Sequence, residues 1–407
     1  MRKRPPQLAD RLISIRTWPW WLQVLAVYFL VRLFDVVLFL YVGSIEGGSY
    51  WNHPNPNYFD FLNVWDVEWF GKIYAHGYPA VIPIDELGQV KQNAWAFLPA
   101  FPYSVKAFSL LTGLSWKFAA PALSTIFGAA FSLVGYRLFQ TKLNSKTALW
   151  AIILVNLSAA APVLQTGYAE SLGLLLIALV LYFWLADRFA LTLLALAALA
   201  FARPGLAAFA LAFAAVWLIR FFRSRMGLDA FSVIDAVKLA GLSIAALALN
   251  FAWPALAAVV TGRQDAYVAT ELAWRSAFPF GGGGLTPLAP WFSSAEYFIG
   301  GVAGIATVIA AIIGAGLVFA IPAVRRLGLE LNLWVASYFV YLFLFFFPQS
   351  SLVRILLPSF VLFGALAQRT ETWNTKRKAV LIAGMGLLQL AWLLTCWMYV
   401  PPDFSPP

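Results

Sequence analysis

In the segment Asn63-Val64-Trp65-Asp66-Val67-Glu68-Trp69-Phe70, two carboxylates stand two residues apart among tryptophans. A carboxylate held in its ionised form can take the proton of a hydroxyl and make that oxygen a nucleophile. The segment follows closely on the first long apolar run, 18–42. An acid pair just outside the hydrocarbon stands where a lipid-linked donor could meet a polar acceptor. More polar residues of the same kind recur further on: Tyr168 and Glu170, Arg203, then Asp265, Tyr267, Glu271, Trp274 and Arg275, and finally Arg354.

The elements that must position these residues are membrane helices. The chain has 407 residues, 62% hydrophobic and 11% charged, with a mean hydropathy of +0.78. A soluble domain carries about 25% charged residues. Apolar Leu- and Ala-rich runs near twenty residues recur along the length, which predicts spanning helices rather than a barrel. The reading is an all-α polytopic protein forming one integral membrane domain over 1–407. Eleven spans are expected, at 18–42, 116–139, 148–167, 170–187, 189–203, 205–221, 236–260, 296–321, 329–347, 351–368 and 379–399. The basic segment 1–17 is placed in the cytoplasm and the C-terminus outside. The first outer loop is 43–114, with an interfacial helix at Val64 to His76 and a re-entrant piece at Ala94 to Leu111, broken by Pro99 and Pro102. A second large outer loop covers 261–295.

Charge supports this orientation. Nineteen of the 28 Lys and Arg residues fall in loops on the cytoplasmic side, eight lie outside, and Arg32 lies within a span. That is the positive-inside pattern rather than a basic groove for nucleic acid, although the net charge is +10. The lone Cys396 permits no disulfide within the chain, and two histidines, His53 and His76, make no metal centre. The run Gly281 to Gly284 has no Lys-Ser/Thr after it and reads as a loop rather than a phosphate cradle. Arg32 and Asp35, three apart, read as an intrahelical ion pair of structural purpose. Most of the Trp and Tyr excess reads as interfacial belt.

With this topology the acids, arginines and aromatics of five loops meet at one membrane face. The chemistry that suits them is glycosyl transfer from a polyprenyl-phosphate sugar. A carboxylate takes the acceptor proton, arginines hold the departing lipid phosphate, and aromatic rings stack on sugar faces. A monophosphate leaving group can do without a metal ion, so neither metal nor cofactor is expected. The bilayer, the lipid-linked donor and a glycolipid or glycan acceptor are the expected partners.

The residues at these positions also resemble a known family. Trp65-Asp66, His76-Gly77-Tyr78 and Ala96-Phe97-Leu98-Pro99-Ala100-Phe101-Pro102 look like the first-loop signature of GPI mannosyltransferase II (phosphatidylinositol-glycan class V) proteins. Gly167-Tyr168-Ala169-Glu170-Ser171-Leu172 resembles that family's Tyr-Ser/Thr-Glu-Ser-Leu motif. Arg203-Pro204-Gly205 stands where the family has Arg-Ser-Asn-Gly. Asp265-Ala266-Tyr267 with Trp274 resembles its Ala-Tyr…Trp loop, and Ser350-Ser351-Leu352-Val353-Arg354 its late Ser-x-x-Arg turn. The resemblance implies the GT-C glycosyltransferase fold, a polyprenyl- or dolichyl-phosphate mannose donor, and Asp66 as catalytic base. Glu68, which the family pattern does not require, and Glu170 join Asp66 as the expected catalytic residues from their place among the outer-loop acids. Trp65, His76, Tyr168, Arg203, Tyr267, Arg275 and Arg354 are the expected substrate-binding residues. The Ala- and Leu-rich style favours the cell membrane of a bacterium over the endoplasmic reticulum. A transporter or lipid flippase is the alternative from another class, and it would need ionisable groups at the bilayer midplane. A non-enzymatic assembly subunit of the same fold is a third reading.

Overall fold

The computed structural model describes residues 18–278 and 286–398. The basic residues Arg2, Lys3, Arg4, Arg11 and Arg16, the run Gly281 to Gly284 and the end Pro401 to Pro407 lie outside the described residues. Among the described residues there is no β-strand; an isolated bridge pairs Ile84 with Val90 in the loop before Ala94.

Among the described residues, six helices are long and apolar enough to cross a membrane: Trp20–Ser44, Trp116–Gln140, Leu206–Arg225, Val233–Thr261, Gly301–Ala320 and Thr375–Trp397. A seventh crossing is available to Leu352–Ser359 with Leu362–Thr370, which are bent by 76° to each other. The other four stretches expected to span hold shorter apolar helices: Ser145–Asn156, Glu170–Leu185, Phe189–Leu199 and Leu329–Phe345. At 1.5 Å per residue these are about 16–26 Å long, against a hydrocarbon core of about 30 Å.

Local sequence explains why they stop early. After Asn156 the chain turns, and Pro162 falls in the 3₁₀ segment Ala161–Gln165 that follows. Pro204 and Gly205 separate Leu199 from the next helix, and Pro348 follows Phe345 closely. Three of the four short helices therefore break off, and the connections that follow those breaks carry the polar residues Tyr168, Glu170, Arg203 and Arg354.

The first helix supports one such break from inside the bundle. Arg32 pairs with Asp35 at 3.0 Å, as the spacing predicts. Its guanidinium also donates to Ala161 O and, at 2.9 Å, to Asn156 O. Gln389 Nε2 donates to Asn156 O at 3.1 Å. Carbonyls left open by the interrupted helix are thus satisfied by side chains from two long helices, as low-dielectric surroundings require. The pair is a buried brace between helices as well as an intrahelical contact.

Trp116–Gln140 is the central helix, 56% buried over its most apolar stretch; Gly301–Ala320, at 11%, lies at the edge. The central helix packs on Glu170–Leu185, and Ser124 Oγ donates to Ser171 Oγ at 3.1 Å across that contact. Exposed apolar side chains such as Leu33, Val37, Val259, Val302 and Leu387 cover the outside of the bundle, which is what a lipid-facing surface requires. The polar piece after the first helix forms Asp66–His76, the turn Ala94–Ala96 and Ala100–Thr112. At about 20 Å the last is too short to cross. The later loop folds as Ala266–Ser276 and Ala289–Phe298 on either side of residues 279–285.

Candidate active site

Both principal acids open a helix. Asp66 is the first residue of Asp66–His76 and Glu170 the first of Glu170–Leu185. The unpaired N–H groups of a helix start favour a negative charge beside them. The residue before Asp66 is unusual: Trp65 has φ 60° and ψ −127°, a backbone state that costs a side-chain-bearing residue about 1–3 kcal/mol. The surroundings hold it there. Trp65 Nε1 donates to Trp397 O at 2.8 Å, its ring lies 4.3 Å from that of Trp51, and Asp66 N donates to Tyr168 Oη at 3.2 Å.

This turn brings the Asp66 carboxylate to Arg354, whose Nη2 donates to Oδ2 at 3.1 Å. Arg354 Nη1 donates to Glu170 Oε1 at 2.5 Å, and Arg203 Nη1 donates to the same oxygen at 2.6 Å. The Arg354 guanidinium lies 4.8 Å over the Tyr168 ring. Tyr338 Oη donates to Ile355 O at 2.6 Å, which fixes the turn that presents Arg354. The result is a linear chain, Asp66–Arg354–Glu170–Arg203, assembled from four separate stretches of sequence. Two positive and two negative groups cancel, the condition under which such groups can be buried. The middle of the chain is closed and its ends are open: Glu170 is 3% and Arg354 7% exposed, Asp66 16% and Arg203 19%.

Burial pushes the Asp66 carboxyl above the ordinary aspartate value, and the Glu170 charge adds to the rise; the Arg354 guanidinium opposes both. Asp66 is thereby a stronger base than a surface aspartate. Glu170 accepts from both arginines through one oxygen, so its geometry is that of a group holding two cations in place. Glu170 Oε2 and Arg354 Nε are buried without a hydrogen-bond partner among the described residues.

Asp66 also lines an open pocket of about 360 Å³ whose walls include Trp51, Trp65, Trp69 and Trp274, with Glu68, Lys72 and Gln92 as polar groups. Glu68 sits on its rim. Glu68 accepts from Trp51 Nε1 at 3.0 Å and pairs with Lys72 at 2.7 Å, while the Lys72 ammonium lies 4.2 Å over the Trp69 ring. The Trp69 and Trp274 rings meet at 5.2 Å. Rings around a carboxylate suit a sugar: C–H faces pack on the rings and hydroxyls bond at the edge.

Of the residues singled out in the sequence, Trp65, Asp66, Tyr168, Glu170, Arg203 and Arg354 converge, and Glu68 shares the pocket. Tyr267 and Arg275 are on Ala266–Ser276, the helix that carries Trp274. There Tyr267 hydrogen-bonds to half-buried Glu271, whose pKa burial raises to about 7, and Arg275 donates to Phe345 O at 2.5 Å. His76 does not join them: it closes the Asp66–His76 helix, exposed, about 15 Å along the axis from Asp66. Asp265 is bound to Arg263 at 2.6 Å in an exposed turn. Trp51, Trp69, Lys72, Gln92 and Tyr338 were not singled out for the site from the sequence. The tryptophan density before and after Asp66 was the signal for Trp51 and Trp69, and it reads equally as interfacial belt; Lys72, Gln92 and Tyr338 had none. Among the described residues no three His, Cys, Asp or Glu side chains converge as a metal site would require.

No protein-family model and no curated protein matches the chain. Among solved structures, the chain is similar to the Archaeoglobus fulgidus oligosaccharyltransferase tethered with an acceptor peptide, at 14% identity and TM-score 0.42, covering 91% of this chain and 55% of that one. It is also similar to the archaeal oligosaccharyltransferase AglB from the same organism in complex with an inhibitory peptide and a dolichol-phosphate, at 12% identity and TM-score 0.44, covering 91% and 54%. The chain spans about half the length of these proteins.

Proposed function

We propose that this protein is a membrane glycosyltransferase of GT-C type. It moves a hexose, mannose by the family resemblance, from a polyprenyl-phosphate sugar to a hydroxyl of a lipid-linked or glycan acceptor. The observation that carries the proposal is the buried chain Asp66–Arg354–Glu170–Arg203, whose Asp66 end opens on a pocket walled by tryptophan.

The reaction is a single displacement with inversion. The acceptor O–H proton passes to Asp66. The acceptor oxygen forms its bond to the anomeric carbon as the bond from that carbon to the phosphate oxygen breaks. The electron pair leaves with the lipid phosphate. Arg203 engages its carboxylate through Nη1, and a guanidinium has five N–H donors. Free donors at this open end, with Arg354 behind them, offset the charge growing on the phosphate. Glu170 is a positioning residue that keeps both guanidinium groups at a fixed separation. This is a different role from the base chemistry its sequence position suggested.

The test is transfer from radiolabelled polyprenyl-phosphate mannose in membranes carrying the wild type or Asp66→Asn at equal protein level. A general base contributes about 10²–10⁴-fold, so transfer by the variant should fall by that factor. Equal transfer in both would remove Asp66 from the mechanism.

A further inference from the structure

At the far end of the Glu170–Leu185 helix, about 24 Å from the quartet, a second pocket of about 270 Å³ opens. Its mouth carries four cations, Lys142, Arg188, Arg220 and Lys238, and three acids, Asp187, Asp235 and Glu330. Apolar side chains, Trp184, Phe189 and Leu239 among others, also line it.

The cations are unequally engaged. Arg220 Nε bonds Asp229 at 3.1 Å, and Lys238 Nζ bonds both oxygens of Asp187 at 3.0 and 2.9 Å. Lys142 stands 3.8 Å from Glu330, outside hydrogen-bond range. The Arg188 side chain has no hydrogen bond or ion pair among the described residues and is exposed. Gly328, with φ +95°, lets Lys142 lie close against the backbone: a Cβ there would be 2.9 Å from Lys142 Nζ. Arg188 thus has no partner among the described residues and Lys142 only a loose ion pair with Glu330, beside apolar lining residues and at the end of the bundle opposite the sugar pocket.

We propose that this pocket binds the phosphate group of a membrane lipid, with Arg188 and Lys142 as its ligands and the apolar wall against the start of the acyl or prenyl chain. A phosphate diester supplies one negative charge and acceptor oxygens for a guanidinium and an ammonium. Basic pockets between membrane helices take anionic head groups on these grounds. The ion pairs of Arg220 and Lys238 frame the mouth and are structural.

The test uses the full-length protein in detergent, with short-chain phosphatidylglycerol, phosphatidylcholine or inorganic phosphate added and bound adducts counted by native mass spectrometry. Phosphatidylglycerol should bind the wild type in preference to phosphatidylcholine. A hydrogen bond to a charged group contributes about 1.5–3 kcal/mol, so Arg188→Gln should weaken binding about tenfold or more. Lys142→Gln should act in the same direction. Equal binding by wild type and both variants, or no preference between the two lipids, overturns the proposal. Inorganic phosphate that binds as tightly as the lipid overturns the lipid assignment. Asp66→Asn should bind phosphatidylglycerol as the wild type does, so this result stands or falls apart from the transferase reading.

Discussion

Glu170→Gln separates the two roles open to this acid. The substitution removes one negative charge from the closed middle of the chain and changes its shape little. The four groups sum to zero in the wild type and to +1 in the variant. Glu170 Oε1 receives two short bonds from guanidinium groups, at 2.5 and 2.6 Å. Bonds involving a charged group contribute about 1.5–3 kcal/mol and neutral ones about 0.5–1.5, so neutralising this acceptor costs about 2–3 kcal/mol over the two. Outright loss of a partner from a buried pair costs about 3–5 kcal/mol; Gln still accepts and lies below that. If the whole loss reaches the transition state, the plateau rate falls about 30- to 150-fold. A second consequence concerns Asp66. The Glu170 charge is one of the influences that raise its pKa, and Arg354 opposes them. Without the Glu170 charge Asp66 becomes more acidic. Asp66 acts ionised, so transfer declines as pH falls through its pKa, and the acid limb of kcat/KM should move to lower pH in the variant. The assay is kcat/KM against pH for wild type, Glu170→Gln and Asp66→Asn, normalised to folded protein. An acid limb that stays in place or moves up, or a Glu170→Gln variant as silent as Asp66→Asn, would refute the reasoning.

Gly173→Ala would set a Cβ 2.5 Å from Arg203 Cγ. It should displace Arg203 at a cost of about 1–3 kcal/mol and raise the donor KM without changing any charge, measured by transfer at varied donor. Arg32→Gln would leave Asp35, 0% exposed, without its cation, open the Ala161 carbonyl and leave the Asn156 carbonyl to Gln389 alone. Stability should drop by about 3–5 kcal/mol in detergent unfolding, with transfer per folded molecule unchanged. Trp274→Ala removes a ring packed 5.2 Å from Trp69 and 5.5 Å from Phe97. Such contacts contribute about 0.5–1.5 kcal/mol, so the acceptor KM should rise about 2- to 12-fold while kcat changes little.

Much of this molecule is legible in one dimension. Apolar runs of Leu and Ala near twenty residues announce helices because a helix satisfies every backbone N–H and C=O within one segment, where a barrel would need short alternating strands. Pro162, Pro204 and Pro348 mark the places where helices stop short, because proline removes a donor and clashes with the turn before it. Tyr168, Glu170, Arg203 and Arg354 stand out because each is a polar residue beside such a break, and Asp66 because it lies among tryptophans in the loop after the first long helix. The pairing of Arg32 with Asp35 follows from spacing alone, since residues three apart on a helix are neighbours.

Spacing is silent on what meets across the bundle. Asp66 and Arg354 are 288 residues apart, and Arg354 and Glu170 are 184 apart. Only packing determines that Arg354 bridges both acids while Glu170 is shared with Arg203. The same holds for the tryptophans: a belt residue and a pocket wall have one composition, and Trp69 and Trp274 become a wall because two distant helices place their rings together. His76 illustrates the converse, since a helix that starts at the site carries its last residue about 15 Å away. Residue types and helix breaks, then, determined which groups stand at helix ends. The tertiary structure decided which of them share a charge, because Coulombic and hydrogen-bond energies depend on distances of a few ångströms that sequence separation does not encode.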